Sequence, residues 1–139
     1  MNYLVSKVEV PTVPPGDLRV ALREEFLLKR KLDAGNPNPG NIGEDFNRLG
    51  VDFWDRVIAV NPTKNRSRQN SLSELNLWRN AIAHQDFTPA KLNSAPYVFA
   101  NYLTLNTVRN WRKACEGLAV DFDSVMRAHI ALLIGGPPW

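Results

Sequence analysis

The clearest pattern in the chain is an apolar repeat near its C-terminus, whose members are separated by three or four residues in turn. They are Val108, Trp111, Cys115, Leu118, Phe122, Val125, His129 and Leu132. Because this spacing keeps side chains on one side of an α-helix, it predicts a helix of about 30 residues. Gly135-Gly136-Pro137-Pro138 is a typical helix stop and predicts the end of that helix.

Three further helices are predicted from apolar spacing and capping signals. The first spans Leu18 to Leu32, with Asp17 as its N-cap. The second begins at Asn41, where Glu44 completes a capping-box pattern; its apolar residues are Ile42, Phe46, Leu49, Phe53 and Val57, with Gly50 as a weak point. The third begins at the capping box Ser71-Leu72-Ser73-Glu74 and ends at about Gln85.

The segments between these helices predict loops. Residues 61–70 are rich in Asn and basic side chains, and we expect a basic loop there. Residues 1–16 are Val-rich and end in Pro14-Pro15-Gly16, which predicts an extended N-terminal arm. The predicted fold is therefore all-α, a bundle of four or five helices formed by residues 17–139 as a single domain.

Composition narrows the class of protein. A chain of 139 residues suits one domain, and 44% hydrophobic with 22% charged residues is typical of a globular protein. No apolar run approaches the roughly 20 residues that cross a bilayer, and Lys7 and Glu9 interrupt the start, so we expect no membrane association and no export signal. The single cysteine excludes an intrachain disulfide and fits the cytoplasm. A net charge of +3 is compatible with a polyanionic partner.

Polar side chains with catalytic potential lie on the third predicted helix. Leu72, Leu75, Trp78 and Ile82 form its predicted core-facing side. Asn80 and His84, four residues apart, stack on nearly the opposite side, and Arg79 lies at the edge between the two. The pattern thus collects a guanidinium, an amide and an imidazole within about two helical turns.

The sequence Arg79-Asn80-x-x-x-His84 in a helical bundle resembles the Arg-x4-6-His motif of the HEPN superfamily (higher eukaryotes and prokaryotes nucleotide-binding). The close resemblance covers about ten residues. It implies a metal-independent endoribonuclease of the kind found in toxin, antiphage and RNA-processing systems, with one motif from each chain of a homodimer. Some toxin members carry a Tyr two positions after the His; Asp86 stands there, so modification of such a tyrosine does not carry over.

The residue types suit RNA cleavage through the 2′-hydroxyl. That reaction needs a base, an acid and stabilisation of charge on phosphorus. His84 can transfer protons near neutral pH, Arg79 can clamp phosphate oxygens, and Asn80 can orient the substrate or the imidazole. The non-catalytic alternatives are that His84 caps the helix end and that Arg79 and Asn80 are ordinary solvated side chains. We expect no metal and no cofactor; Asp121 and Asp123 are two residues apart and do not share a helical face.

Other residues are secondary candidates. Lys64, Arg66 and Arg68 precede the motif helix and could follow an RNA backbone, the alternative being an ordinary solvated loop. His129 and Cys115 belong to the apolar repeat, which predicts a packed histidine and an inert thiol.

The leading hypothesis is a cytoplasmic endoribonuclease whose partners are RNA, a second copy of the chain and, by family analogy, an antitoxin or regulatory protein. The alternatives are a non-catalytic helical RNA-binding or protein-interaction module, and a subunit whose long helix serves assembly.

Overall fold

The computed structural model describes residues 30–88 and 103–139, together with residues 20, 23–25 and 27–28. Its helices with defined bounds are α1 (Lys31–Ala34), α2 (Pro39–Asn47), α3 (Phe53–Val60), α4 (Pro62–His84) and α5 (Leu105–Ile134). Residues 20, 23–25 and 27–28 are also helical, as predicted. No strand occurs in the described residues, which confirms the all-α class. The predicted arm, residues 1–16, lies outside them. The chain divides into two units, residues 1–52 and residues 53–139.

In the first unit, a carboxylate from α2 caps α1. Asp45 is buried and accepts hydrogen bonds from the backbone N–H groups of Lys31, at 2.8 Å, and Leu32, at 2.9 Å. Arg30, just before α1, has an extended backbone with φ −67° and ψ 122°. The predicted single helix from Leu18 to Leu32 is therefore wrong at its C-terminal end, because Asp45 stabilises a new helix start at Lys31.

The second predicted helix is two helices. Asn38, not Asn41, caps α2, because its side chain accepts a hydrogen bond from Asn41 N at 2.9 Å and Pro39 occupies the first turn. Glu44 instead forms an exposed ion pair with Lys31 at 3.4 Å. Gly50, with φ +76°, lies between α2 and α3 in a conformation that ends a helix. The predicted continuity through Gly50 is wrong for that reason.

The predicted basic loop is helical. Asn61 caps α4 by accepting a hydrogen bond from Lys64 N at 3.2 Å, and Pro62 follows at the first helical position. The predicted start at Ser71 is thus wrong, since a stronger start signal precedes it by ten residues. The predicted C-terminal end of this helix, at about Gln85, is confirmed. Helix α4 stops at His84, and Gln85 adopts a left-handed backbone with φ 52°.

Helix α5 confirms the prediction from the apolar repeat. It spans 30 residues, is capped by Thr104 and stops at Gly135, whose φ is 72°. Trp111, Leu118, Val125 and His129 are buried, as predicted. The two ends of the repeat differ: Val108 is 44% exposed and Leu132 is 77% exposed. The apolar repeat is therefore buried between Trp111 and His129 at four of its positions and exposed at its two ends. No helix within the described residues is long and apolar enough to cross a membrane.

A polar network joins α3, α4 and α5. Asn65, fully buried on α4, donates to the Val57 carbonyl of α3 at 2.7 Å and accepts from Arg68 at 2.8 Å. The Arg68 guanidinium also pairs with Asp121 of α5 at 2.8 Å. Gly117 of α5 lies against this guanidinium, where a Cβ atom would collide with it. The network lies beside an aromatic cluster in which the Phe122 ring of α5 contacts Phe53 and Trp54 of α3.

We expect Asn65→Ala to lower the free energy of unfolding by about 1–3 kcal/mol, because it leaves a buried carbonyl and the Arg68 guanidinium short of a partner. Urea denaturation followed by circular dichroism measures the change. Asn106→Ala, at an exposed position in the first turn of α5, is the matched control and should be nearly neutral. Equal stability of the two variants would contradict a structural role for the network.

Candidate functional site

The motif residues lie in the last two turns of α4. Arg79, Asn80 and His84 are all exposed. His84 is the last residue of the helix, where a protonated imidazole interacts favourably with the helix dipole. Asn80 and His84 are four residues apart in the observed helix, so they occupy the same side, as the spacing predicts.

The core-facing side of α4 differs from the prediction at its C-terminal end. Leu72 and Trp78 are buried as expected, and Leu75 is half-buried. Ile82, predicted to be in the core, is 52% exposed, and Ala81 is buried instead. Since Ala81 follows Glu74 and Trp78 at spacings of seven and three, these three residues form the buried side here. Ile82 lies outside it.

Exposed apolar side chains surround the motif end of the helix pair. Helices α4 and α5 are antiparallel, because Glu74 contacts Trp111 whereas Arg68, earlier in α4, contacts Asp121, later in α5. The start of α5 therefore lies near the end of α4. Within the described part of the chain, the exposed large apolar residues at this end are Ile82, Phe87, Leu103, Leu105 and Val108, at 41–66% exposure. We call these five side chains the apolar rim.

Glu74 is the polar residue that the sequence pattern misplaces. The capping box predicts it in a first turn, but it is buried in the middle of α4. Its Oε2 accepts a hydrogen bond from the Trp111 indole N–H at 2.9 Å. Its Oε1 has no hydrogen-bond partner among the described residues. The four-residue spacing to Trp78 is the available signal, and it becomes visible only once α4 is known to begin at Pro62.

The three basic candidates occupy different environments. Lys64 and Arg66 are exposed near the start of α4. Arg68 is only 27% exposed and its guanidinium is held by Asp121 and Asn65. The predicted RNA-binding role of all three remains a prediction, and the geometry favours Lys64 and Arg66 as the side chains available to a phosphate.

The other two titratable candidates, His129 and Cys115, belong to α5. His129 is buried, as predicted. Burial raises the pKa of the half-buried Cys115 thiol, and the nearby Glu116 carboxylate raises it further. A raised pKa lowers the thiolate fraction at neutral pH and hence the reactivity of this thiol. Among the described residues, no three His, Cys, Asp or Glu side chains are grouped as metal ligands.

No protein-family model matches the chain, and comparisons with curated proteins and with solved structures likewise find no match. The case for any function therefore depends on the residues and their geometry.

We expect the double substitution of Lys64 and Arg66 by Gln to weaken RNA binding and to flatten its dependence on salt. The log–log slope should fall by roughly 0.7 for each phosphate that is no longer neutralised. Fluorescence anisotropy with a labelled RNA at several salt concentrations measures the slope. Arg68→Gln should behave differently, with a lower midpoint of urea denaturation, because it breaks the pair with Asp121. An unchanged slope for the double variant would assign Lys64 and Arg66 to ordinary solvated surface.

Proposed function

We propose that the protein is a metal-independent endoribonuclease that cleaves RNA by attack of the 2′-hydroxyl at a composite dimeric site. Arg79, Asn80 and His84 from each of two chains form this site. The observation that carries the proposal is the exposure of all three side chains at one end of α4, within reach of a polymeric substrate. The resemblance of these residues to the HEPN motif supports the same assignment.

Each side chain has a role in the proposed reaction. The 2′-oxygen bonds to phosphorus while the bond from phosphorus to the 5′-oxygen breaks. One imidazole accepts the proton of the 2′-hydroxyl, and a second donates a proton to the leaving 5′-oxygen. Arg79 neutralises charge that develops on the phosphoryl oxygens, and Asn80 orients the substrate or an imidazole. The products carry a 2′,3′-cyclic phosphate and a free 5′-hydroxyl.

The need for two imidazoles supports a dimer. Each chain has two histidines, and the second, His129, is buried in α5. A two-fold axis beside the end of α4 would bring two copies of His84 to one cleft. The apolar rim at this end provides surface that a second copy can bury.

The proposed biological setting is a cytoplasmic toxin or antiphage effector, by analogy with the family that the motif resembles. RNA is the proposed substrate and a second copy of the chain the proposed partner. An antitoxin or regulatory protein is the further partner that this setting implies.

Arg79→Ala and His84→Ala should each reduce RNA cleavage by about 100-fold or more, with little loss of RNA binding, because both groups act mainly in the transition state. Asn80→Ala should have a smaller effect. Gel analysis of RNA incubated in EDTA measures cleavage, and end analysis should find the 2′,3′-cyclic phosphate. Because all three side chains are exposed, unfolding should not account for the loss.

Arg112→Ala is the matched control, since it removes an exposed guanidinium of α5 outside the motif. It should retain full activity. If the wild-type protein binds RNA without cleaving it, and His84→Ala binds equally, the enzyme proposal fails and the alternative of a non-catalytic RNA-binding module is supported.

A dimer should form through the apolar rim. Light scattering at micromolar concentration should give twice the 15.7 kDa chain mass for the wild-type protein. Ile82→Asp should give a monomer that no longer cleaves RNA, because it places a charge in the interface. Val120→Asp, also at an exposed apolar position but outside the rim, should leave both properties unchanged. A monomeric wild-type protein that cleaves RNA would reject the composite site.

A further inference from the structure

A polar groove lies between α4 and α5, away from the motif. Its volume is about 540 Å³, within the range of about 300–1,000 Å³ typical of small-molecule sites. Side chains of both helices line it, including Ser67, Ser71 and Glu74 of α4 and Asn110, Trp111 and Lys113 of α5. Hydroxyl, amide, carboxylate and ammonium groups thus meet along one gap between the helices. We call it the α4–α5 groove.

Two charged groups in this groove lack a partner of opposite charge among the described residues. Lys113 is exposed and forms no ion pair with any of them. Glu74 is only 4% exposed, and its Oε2 accepts from the Trp111 indole while Oε1 has no hydrogen-bond partner within the described part of the chain. Oε1 itself has almost no accessible surface, so a donor in the groove reaches it only after a small rotation of the Glu74 side chain. Because an unpaired buried carboxylate oxygen is costly, such a donor is stabilised.

The chemistry of the walls selects the ligand class. Lys113 suits an anionic group such as phosphate, and Glu74 Oε1 suits an N–H donor such as the exocyclic amino group of cytosine. The hydroxyl and amide side chains between them suit the polar atoms of a ribose. We propose that the α4–α5 groove binds a nucleotide, with its phosphate at Lys113 and an N–H edge of its base at Glu74. The nucleotide is either free or part of an RNA strand.

This site is separate from the proposed catalytic motif. At about 100° per residue, Asn80 lies about 180° around α4 from Ser71 and roughly 14 Å farther along the axis. The groove and the Asn80–His84 side therefore face different directions. Nucleotide binding in the groove does not depend on RNA cleavage at the motif, and each can fail without the other.

Isothermal titration with cytidine 5′-monophosphate and ribose 5-phosphate tests the proposal, because the second probe has the phosphate and the sugar but no base. The wild-type protein should bind the nucleotide about tenfold or more tightly than ribose 5-phosphate. Glu74→Gln should abolish this difference. Its amide oxygen can still accept from Trp111, while its amide nitrogen replaces the open acceptor with a donor.

Lys113→Gln should weaken binding of both probes, since both carry the phosphate. Arg127→Gln is the matched control; it removes an exposed charge of the same helix, roughly 20 Å from Lys113. It should bind both probes as the wild-type protein does. A 2′-O-methylated oligocytidylate distinguishes the two sources of the ligand. Binding that exceeds that of the mononucleotide and still requires Glu74 indicates an RNA strand, and binding that does not exceed it indicates a free nucleotide.

A measurement on the wild-type protein keeps the test valid if Glu74→Gln fails to fold. The NMR signal of the Trp111 indole N–H should shift with cytidine monophosphate and not with ribose 5-phosphate, because Glu74 holds that indole. The proposal is overturned if both probes bind equally, if neither binds at millimolar concentration, or if a folded Glu74→Gln retains the preference for the nucleotide.

Discussion

The second unit depends on how α4 packs against α5, and polar contacts determine that packing. Arg68 is placed by Asn65 within its own helix and pairs with Asp121 of α5. Farther along α4, Glu74 accepts from the Trp111 indole. Two directional contacts along one antiparallel pair leave little freedom to slide or rotate, whereas apolar contacts alone would tolerate several alignments. Because Gly117 has no side chain, α5 leaves room for the Arg68 guanidinium in the interface.

This alignment has consequences for the surface. Helix α5 has 30 residues and α4 has 23, and because the start of α5 lies near the end of α4, the C-terminal end of α5 extends beyond α4. Leu132 is exposed at one end and Val108 at the other. The motif lies at the second end, together with the apolar rim. A chain that presents exposed polar side chains within an apolar border is well suited to a site completed by a second copy.

The long-range pattern in the sequence predicted α5 well because eight residues of one stripe repeat over a whole helix. Local signals were less reliable. Ser71 and Glu74 match a capping box, yet Glu74 is buried. The reason is that the helix starts ten residues earlier, at Asn61-Pro62, and runs through the Asn-rich basic segment. Asp45 caps α1 by accepting hydrogen bonds from residues that precede it by 14 and 13 positions, and no local pattern reveals such a contact.

The positions of Arg79, Asn80 and His84 were predictable because the helical period places them off the buried side. The α4–α5 groove was not predictable, because its position depends on which helix packs against α4 and on the burial of Glu74.

Two sides of α4 therefore have different surroundings. The side that contains Glu74, Trp78 and Ala81 is buried, while Asn80 and His84 emerge on another side. A buried carboxylate in the α5 interface keeps an unsatisfied acceptor only at a cost to stability, and a donor from another residue or an apolar side chain would remove that cost. The Trp111 bond alone could be made by a neutral Gln. What Glu74 adds is a second carboxylate oxygen, Oε1, which is buried without a hydrogen-bond partner among the described residues.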